Sequence, residues 1–187
     1  MPESPLWISE ADVVALMDMR AAIDALEAGL VAEARGAASN MTKTHVEWQA
    51  TGGHATLHAI GAVFAESGIA GTKTWVHSPL GATPLLILFN ANDGRVNAII
   101  EAFALGQLRT GAASGIATRL LASESAKELA LIGTGKQSLT QVATCTTATT
   151  GHCGGSCTPD VQDMLAEHAP QRPLPAAGGS GWWVRRK

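Results

Sequence analysis

The sequence predicts a mixed α/β protein whose larger part is an α+β unit with an antiparallel sheet. Helical patterns open the chain, and short apolar runs separated by turn residues then fill positions 41–101. Consecutive strands joined by short turns favour antiparallel pairing over strand–helix–strand units. Near position 128 another apolar run leads directly into a glycine turn. This last pattern is typical of the first strand and helix of a dinucleotide-binding domain.

Two amphipathic helices are predicted before the sheet. Ser9-Glu-Ala-Asp12 resembles a capping box, in which two side chains close the first turn of a helix. A second helix should begin near Asp18, because Ala22, Ile23 and Leu26 follow at helical spacing. We expect both helices to cover a sheet.

Five strands and one long helix are predicted next. The candidate strands are 42–49, 54–64, 69–76, 85–89 and 96–100. The turn Asn90–Gly94 joins the last two, because Asn, Asp and Gly tolerate positive φ. The helix spans 102–122 and contains Gly106, Gly111 and Gly115, each costing about 1 kcal/mol of helix propensity relative to Ala. We expect them to permit close approach by a neighbouring backbone or by a ligand.

The composition excludes several classes of function. The chain has 187 residues, 46% of them hydrophobic, and a formal charge of −3, which gives no electrostatic case for nucleic acid. No apolar run reaches the roughly 18 residues that a membrane span requires. The N-terminus has acidic residues, Glu3 and Glu10, where a signal peptide would be basic, so a cytoplasmic protein is expected.

The sequence predicts no metal site. Its three cysteines, Cys145, Cys153 and Cys157, fall at spacings that match no standard zinc motif. The histidines at 45, 54, 58 and 77 also fit no ligand spacing, and we interpret them as structural residues with satisfied hydrogen bonds.

The segment Gly133-Thr-Gly135 is the best-placed candidate for cofactor binding. Gly133 permits a tight turn, and Gly135 allows a pyrophosphate to approach the backbone at the start of the next helix. A glycine turn also occurs at junctions that bind nothing. Upstream, Arg109 lies among small apolar residues and needs an anionic partner, either Glu101 or a bound carboxylate or phosphate. Lys73 and Lys43 are either exposed strand residues or anion ligands.

Lys73 and four sequence segments together resemble the ornithine cyclodeaminase/mu-crystallin family over residues 5–143. They are Lys73, Leu85–Gly94, Leu108–Ser114, Leu120–Ala122 and Leu131–Gln137. The resemblance implies a homodimer, a Rossmann domain that binds NAD or NADP, and an oxidoreductase or lyase of amino-acid metabolism. The shared chemistry is hydride transfer at an amino-acid α-carbon through an imine, as in cyclodeamination of ornithine or reduction of imino acids.

The resemblance also assigns site residues. Lys73, helped by Lys43 and Arg109, would hold the carboxylate of an amino-acid or imino-acid substrate. The expected cofactor contacts are Thr83, Arg109, Thr110, Gly133, Thr134, Gly135, Lys136 and Gln137.

The predicted organisation has three parts. Residues 1–122 form a substrate and dimerisation domain, 123–143 begin a Rossmann domain, and 144–187 form an irregular, disordered tail. The acidic ribose contact and the catalytic Asp of the family have no counterpart. We therefore expect this chain to be a truncated or frameshifted member without activity, and whether it is an enzyme stays open. The alternative is a non-catalytic dimerising protein. Substrate identity and the choice between NAD and NADP also stay open.

Overall fold

The computed structural model describes residues 4–126, 128–133, 135 and 137–149. These residues form a mixed α/β structure, as the sequence predicts. The elements, in chain order, are β1 (Leu6–Ile8), α1 (Glu10–Leu16), α2 (Met19–Ala34), β2 (Ala38–Asn40), β3 (Thr44–Ala50), β4 (Gly53–Phe64), β5 (Ile69–Ser78), β6 (Gly81–Ala82), β7 (Leu85–Asn90), β8 (Val96–Glu101), α3 (Phe103–Leu121) and α4 (Ser138–Thr149). None of these helices is long and apolar enough to cross a membrane.

The described chain divides into two compact units. The first contains residues 4–13 and 32–103, and the second contains 14–31 and the described residues from 104 onward. This grouping separates α3 from the sheet, whereas the sequence places both in one domain. The three predicted domains therefore stay a prediction.

The first unit is built on one sheet with the order β1-β8-β7-β5-β4-β2. β3 pairs with β4 and β6 pairs with β5; β1 and β8 are parallel, and the other pairs are antiparallel. The five predicted strands are confirmed as β3, β4, β5, β7 and β8, each to within two residues. β1, β2 and β6 were not predicted, because strands of two or three residues are too short to display a period of two.

The capping box at the start of α1 is confirmed. The Ser9 hydroxyl accepts a hydrogen bond from the Asp12 N–H (3.2 Å), and the Asp12 carboxylate accepts from the Ser9 N–H (2.9 Å) and hydroxyl (2.6 Å). Hydrogen bonds from the Ser9 side chain and backbone hold the pKa of Asp12 below its usual value. α1 therefore begins at Glu10 for the reason that the sequence suggested.

The second unit packs α2, α3 and α4 closely around glycines. Its core contains Met19, Ala22, Ile23, Ala112 and Ile116. A Cβ added at Gly111 would lie 2.6 Å from Thr144 Oγ1, and one added at Gly115 would collide with Thr144 Cγ2. Gly111 and Gly115 thus permit close approach, and the approaching group is a protein side chain.

α4 extends beyond the predicted start of the irregular tail. Residues 144–149, expected to lack structure, form its last turns. Thr144 is fully buried, and its hydroxyl donates to the Thr140 carbonyl at 2.6 Å. The hydroxyls of Thr146 and Thr147 also donate to carbonyls three or four residues earlier in the helix. Packing of Thr144 against α3 outweighs the low helix propensity of threonine. Residues 150–187 lie outside the described part of the chain.

The apolar run at 128–132, predicted as a strand, has no strand hydrogen bonding. Leu129 and Leu131 are exposed, and Ile132 is fully exposed. A strand requires a partner that completes its hydrogen bonds. Within the described ranges no strand pairs with this run, so it stays irregular despite its apolar composition.

The contact at Gly115 leads to a stability prediction. Gly115→Ala should lower the free energy of unfolding by about 1–3 kcal/mol, because overpacking against Thr144 and Ile23 exceeds the gain in helix propensity. Chemical denaturation monitored by circular dichroism measures the change. In a Thr144→Ser background, which removes only Cγ2, Gly115→Ala should lower the free energy of unfolding by less. An equal cost in both backgrounds would contradict this account.

Candidate functional site

One face of the sheet collects both lysines predicted to bind substrate. Side chains alternate between faces along a strand, and the register pairs Ile60 with Lys73, His58 with Trp75 and Thr56 with His77. Lys73, Trp75 and His77 therefore share a face of β5. Lys43 immediately precedes β3. We call this side of the sheet the lysine face.

Trp75 contacts both lysines on this face. The Lys73 ammonium lies over the Trp75 ring at 4.9 Å from the ring centroid. The Lys43 ammonium lies 5.7 Å from the centroid of a Trp75 ring. Both distances are within the range of a cation–π interaction. Two residues far apart in sequence thus direct their charges to one indole.

His58 forms the other side of this cluster. Its ring stacks on Trp75 with centroids 4.8 Å apart and an interplanar angle of 22°, and His45 stacks on His58 at 5.8 Å. Nε2 of His58 is 2.7 Å from the Thr56 hydroxyl, whereas Nδ1 is buried without a hydrogen-bond partner in the described structure. Partial burial, followed by the charges of Lys43, His45 and His77, lowers the pKa of His58, so its neutral form is favoured. The sequence interpretation of fully satisfied histidines is wrong for this ring.

The lysine face is suited to binding an anion. His45, His54, His58 and His77 all lie on it with the two lysines. Glu47 shares the face and is 3.4 Å from His45 and 3.3 Å from His54. Across the described residues, no group of three or more His, Cys, Asp or Glu side chains is arranged to hold a metal ion. Cationic groups on a sheet face favour a carboxylate or phosphate ligand.

Thr83 and Arg109 belong to different units. Thr83 is exposed in the loop between β6 and β7 of the first unit. Arg109 and Thr110 lie on α3 in the second unit, where Arg109 is exposed and the Thr110 hydroxyl donates to the Gly106 carbonyl at 2.8 Å. Glu101, one of the two suggested partners for Arg109, accepts a hydrogen bond from the Glu10 N–H at 2.9 Å.

The glycine turn before α4 leaves room for a phosphate group. Gly133 has φ of 104°, a conformation that residues with a side chain rarely adopt. A Cβ added at Gly133 or Gly135 would meet no described atom within 4 Å. The Gly135 carbonyl accepts from the Ser138 N–H at 2.9 Å, so the turn leads directly into α4. Gly133, Gly135 and the exposed Gln137 therefore fit the approach of a cofactor pyrophosphate, whereas Thr134 and Lys136 lie outside the described residues.

Sequence reasoning found the cations of the lysine face and missed its aromatic residues. Trp75 could have been placed beside Lys73, because residues two apart on a strand share a face. The position of His58 could not have been predicted in this way, since its place opposite Trp75 depends on the register of β4 and β5.

Comparisons with known proteins show what this chain is similar to. A family model described as the ornithine cyclodeaminase/mu-crystallin family matches residues 4–150. Iminosuccinate reductase from Paracoccus denitrificans is 32% identical over 145 residues, which are 73% of this chain and 44% of that protein. This chain therefore spans about half the length of that relative.

Two solved structures have the same fold over the matched region. The iminosuccinate reductase of Paracoccus denitrificans in complex with NAD+ has a TM-score of 0.70 and 27% identity, covering 88% of this chain and 53% of its own. An archaeal alanine dehydrogenase dimer with bound NAD has a TM-score of 0.71 and 28% identity, and the match covers 77% of this chain and 45% of that protein's chain. The family match includes all of α4 and extends past the predicted limit at residue 143. The chain belongs to the ornithine cyclodeaminase/mu-crystallin family.

Proposed function

We propose that this chain provides the substrate-carboxylate site and the start of the cofactor site of an NAD(P)-dependent amino-acid or imino-acid oxidoreductase. The observation that supports this most directly is the approach of the Lys43 and Lys73 ammonium groups to one indole. The carboxylate is the group that all amino-acid and imino-acid substrates share. Two cations on one face provide charge-assisted hydrogen bonds to it.

Each predicted site residue that the structure describes has a role in this proposal. Lys73 and Lys43 hold the substrate carboxylate, and Arg109 supplies a further positive charge for substrate or cofactor. Thr83 and Thr110 contribute cofactor contacts. The turn at Gly133 and Gly135, followed by Gln137, receives the pyrophosphate at the start of α4. These assignments rest on the resemblance and on the chemistry of the residues.

The proposed reaction is oxidation of an amino acid at its α-carbon, or its reverse. When held at the turn of Gly133 and Gly135, a nicotinamide cofactor would supply hydride transfer to or from the α-carbon; with the loss or gain of one proton at nitrogen, this interconverts an amine and an imine. Lys43 and Lys73 would orient the α-carbon by holding the adjacent carboxylate. Relatives named for iminosuccinate and alanine support an amino-acid or imino-acid substrate class.

The carboxylate site can be tested by ligand binding. Lys73→Met should weaken binding of pyrrole-2-carboxylate, a planar analogue of a cyclic imino acid, by about 10- to 100-fold, since hydrogen bonds to charged groups contribute about 1.5–3 kcal/mol. Ligand-observed NMR titration measures the Kd. Arg95→Gln, which removes a cation paired with Asp93 in an exposed turn, is the control and should bind like the unmodified chain. Equal affinities for all three proteins would refute the assignment of Lys73.

We further propose that the chain forms a homodimer through the sheet face opposite the lysine face. Val46, Leu57 and Val76 are aligned across β3, β4 and β5 and are 64%, 43% and 42% exposed. Trp48, on the same face of β3, is 40% exposed. Contiguous exposed apolar side chains are typical of a protein interface. The related archaeal alanine dehydrogenase is described as a dimer, which supports this surface as the interface.

Dimerisation has its own test. Leu57→Lys should convert a dimer to a monomer in size-exclusion chromatography with light scattering, because it places a charge among the apolar contacts. Ile69→Lys is a matched control: Ile69 has the same 43% exposure but lies on the lysine face. A dimer that survives Leu57→Lys, or dissociates equally with both changes, would argue against this interface.

The alternative function is a non-catalytic dimerising protein, which the same exposed apolar side chains favour. Turnover of alanine, ornithine or an imino acid with NAD or NADP distinguishes the two. A stable dimer that shows no turnover and binds no pyrrole-2-carboxylate supports the alternative, whereas measurable turnover supports the oxidoreductase and contradicts the expected lack of activity.

A further inference from the structure

The backbones of Lys43, just before β3, and Lys73, on β5, are well separated. β3 pairs Thr44 with Ala59, so Lys43 would lie opposite Ile60 if the ladder continued by one residue, and Ile60 lies opposite Lys73. Two strand spacings of about 4.8 Å then separate the Lys43 and Lys73 backbones by about 10 Å. Their ammonium groups nevertheless both lie within 6 Å of the centroid of a Trp75 ring. Both side chains therefore lean toward the same indole.

This arrangement requires an attraction that offsets charge repulsion. Two ammonium groups repel each other, and long lysine side chains lose rotamer freedom when they are held in place. The face of an indole carries negative charge density and attracts cations more strongly than the rings of Tyr or Phe. Trp75 is thus a physical reason for the lysines to converge.

The indole itself is held by the neighbouring row of side chains. His58 stacks on it at 4.8 Å, the Thr56 hydroxyl holds His58 Nε2 at 2.7 Å, and His45 stacks on the far side of His58. Because burial and the nearby cations lower the pKa of His58, the neutral ring predominates at neutral pH. The stack then supports the indole without adding another charge beside the lysines.

We propose that Trp75 is a positioning residue, which gathers the Lys43 and Lys73 ammonium groups so that both bind one substrate carboxylate. This inference rests on the proposed function of the lysines and names the group that sets their geometry. Trp75 acts through the lysines and forms no bond to the carboxylate. Its effect on binding should therefore depend on their presence.

Four variants separate this role from a general packing role. Trp75→Leu keeps an apolar side chain but removes the aromatic ring, and Trp75→Phe restores a weaker one. Trp7→Leu, which removes an exposed tryptophan of β1, is the matched control. The fourth variant adds Trp75→Leu to a chain already carrying Lys43→Met and Lys73→Met. Circular dichroism identifies the variants that fold, and NMR titration with pyrrole-2-carboxylate measures the Kd.

Trp75→Leu should weaken carboxylate binding about tenfold, Trp75→Phe should recover part of this loss, and Trp7→Leu should have no effect. In the lysine-free background, Trp75→Leu should change nothing further. Proton NMR gives a readout without ligand: the indole ring current should shift the ε-methylene signals of both lysines, and Trp75→Leu should abolish the shift.

Different failures would overturn different claims. If Lys73→Met weakens binding but Trp75→Leu does not, or if Trp75→Leu acts equally without the lysines, the positioning role is wrong and the carboxylate site stands. If Trp75→Leu does not fold, two other measurements test the positioning role: the chemical shifts of the lysine ε-methylene groups in the unmodified chain and the affinity of Trp75→Phe. Unshifted ε-methylene signals in the unmodified chain would overturn the positioning role. If the unmodified chain binds no carboxylate, the proposed function fails and this inference fails with it.

Discussion

The continuous register of β3, β4 and β5 is the constraint on which the candidate site depends. Seven pairs join β3 to β4 and nine join β4 to β5 without interruption. Because side chains alternate with a period of two, a slip of one residue would move Lys73 and Trp75 to the opposite face. The cationic and apolar faces of these strands exist only in this register. Both the carboxylate site and the dimer interface that we propose follow from it.

The charge of the lysine face shows why net charge describes a binding site poorly. The whole chain has a formal charge of −3, which suggests no preference for anions. Local placement changes that expectation, because the ammonium groups of Lys43 and Lys73 both approach Trp75 on one face of the sheet. Nearby groups determine the field at a site, because salt screens exposed charges separated by more than about 10 Å.

Gly111 and Gly115 have a different physical role from Gly133, although all three glycines belong to the second unit. Thr144 occupies the space that a side chain at Gly111 or Gly115 would need. Gly133 has a positive φ, and no described atom occupies the place of its Cβ. The first two serve packing between helices. The third leaves backbone open to a ligand, which is consistent with the NAD bound in related structures.

The sequence by itself determined the family, the five longer strands and the cap of α1, and it singled out Lys43 and Lys73 as candidate site residues. These are properties of local pattern and motif, which neighbouring residues specify. Tertiary context decided the structure of residues 128–132 and 144–149. The first segment has no strand partner within the described part of the chain, and the second is buried at Thr144. The meeting of Lys43, His58, Lys73 and Trp75 was likewise decided only by the tertiary structure. These residues belong to three strand segments, and only their pairing register brings their side chains together.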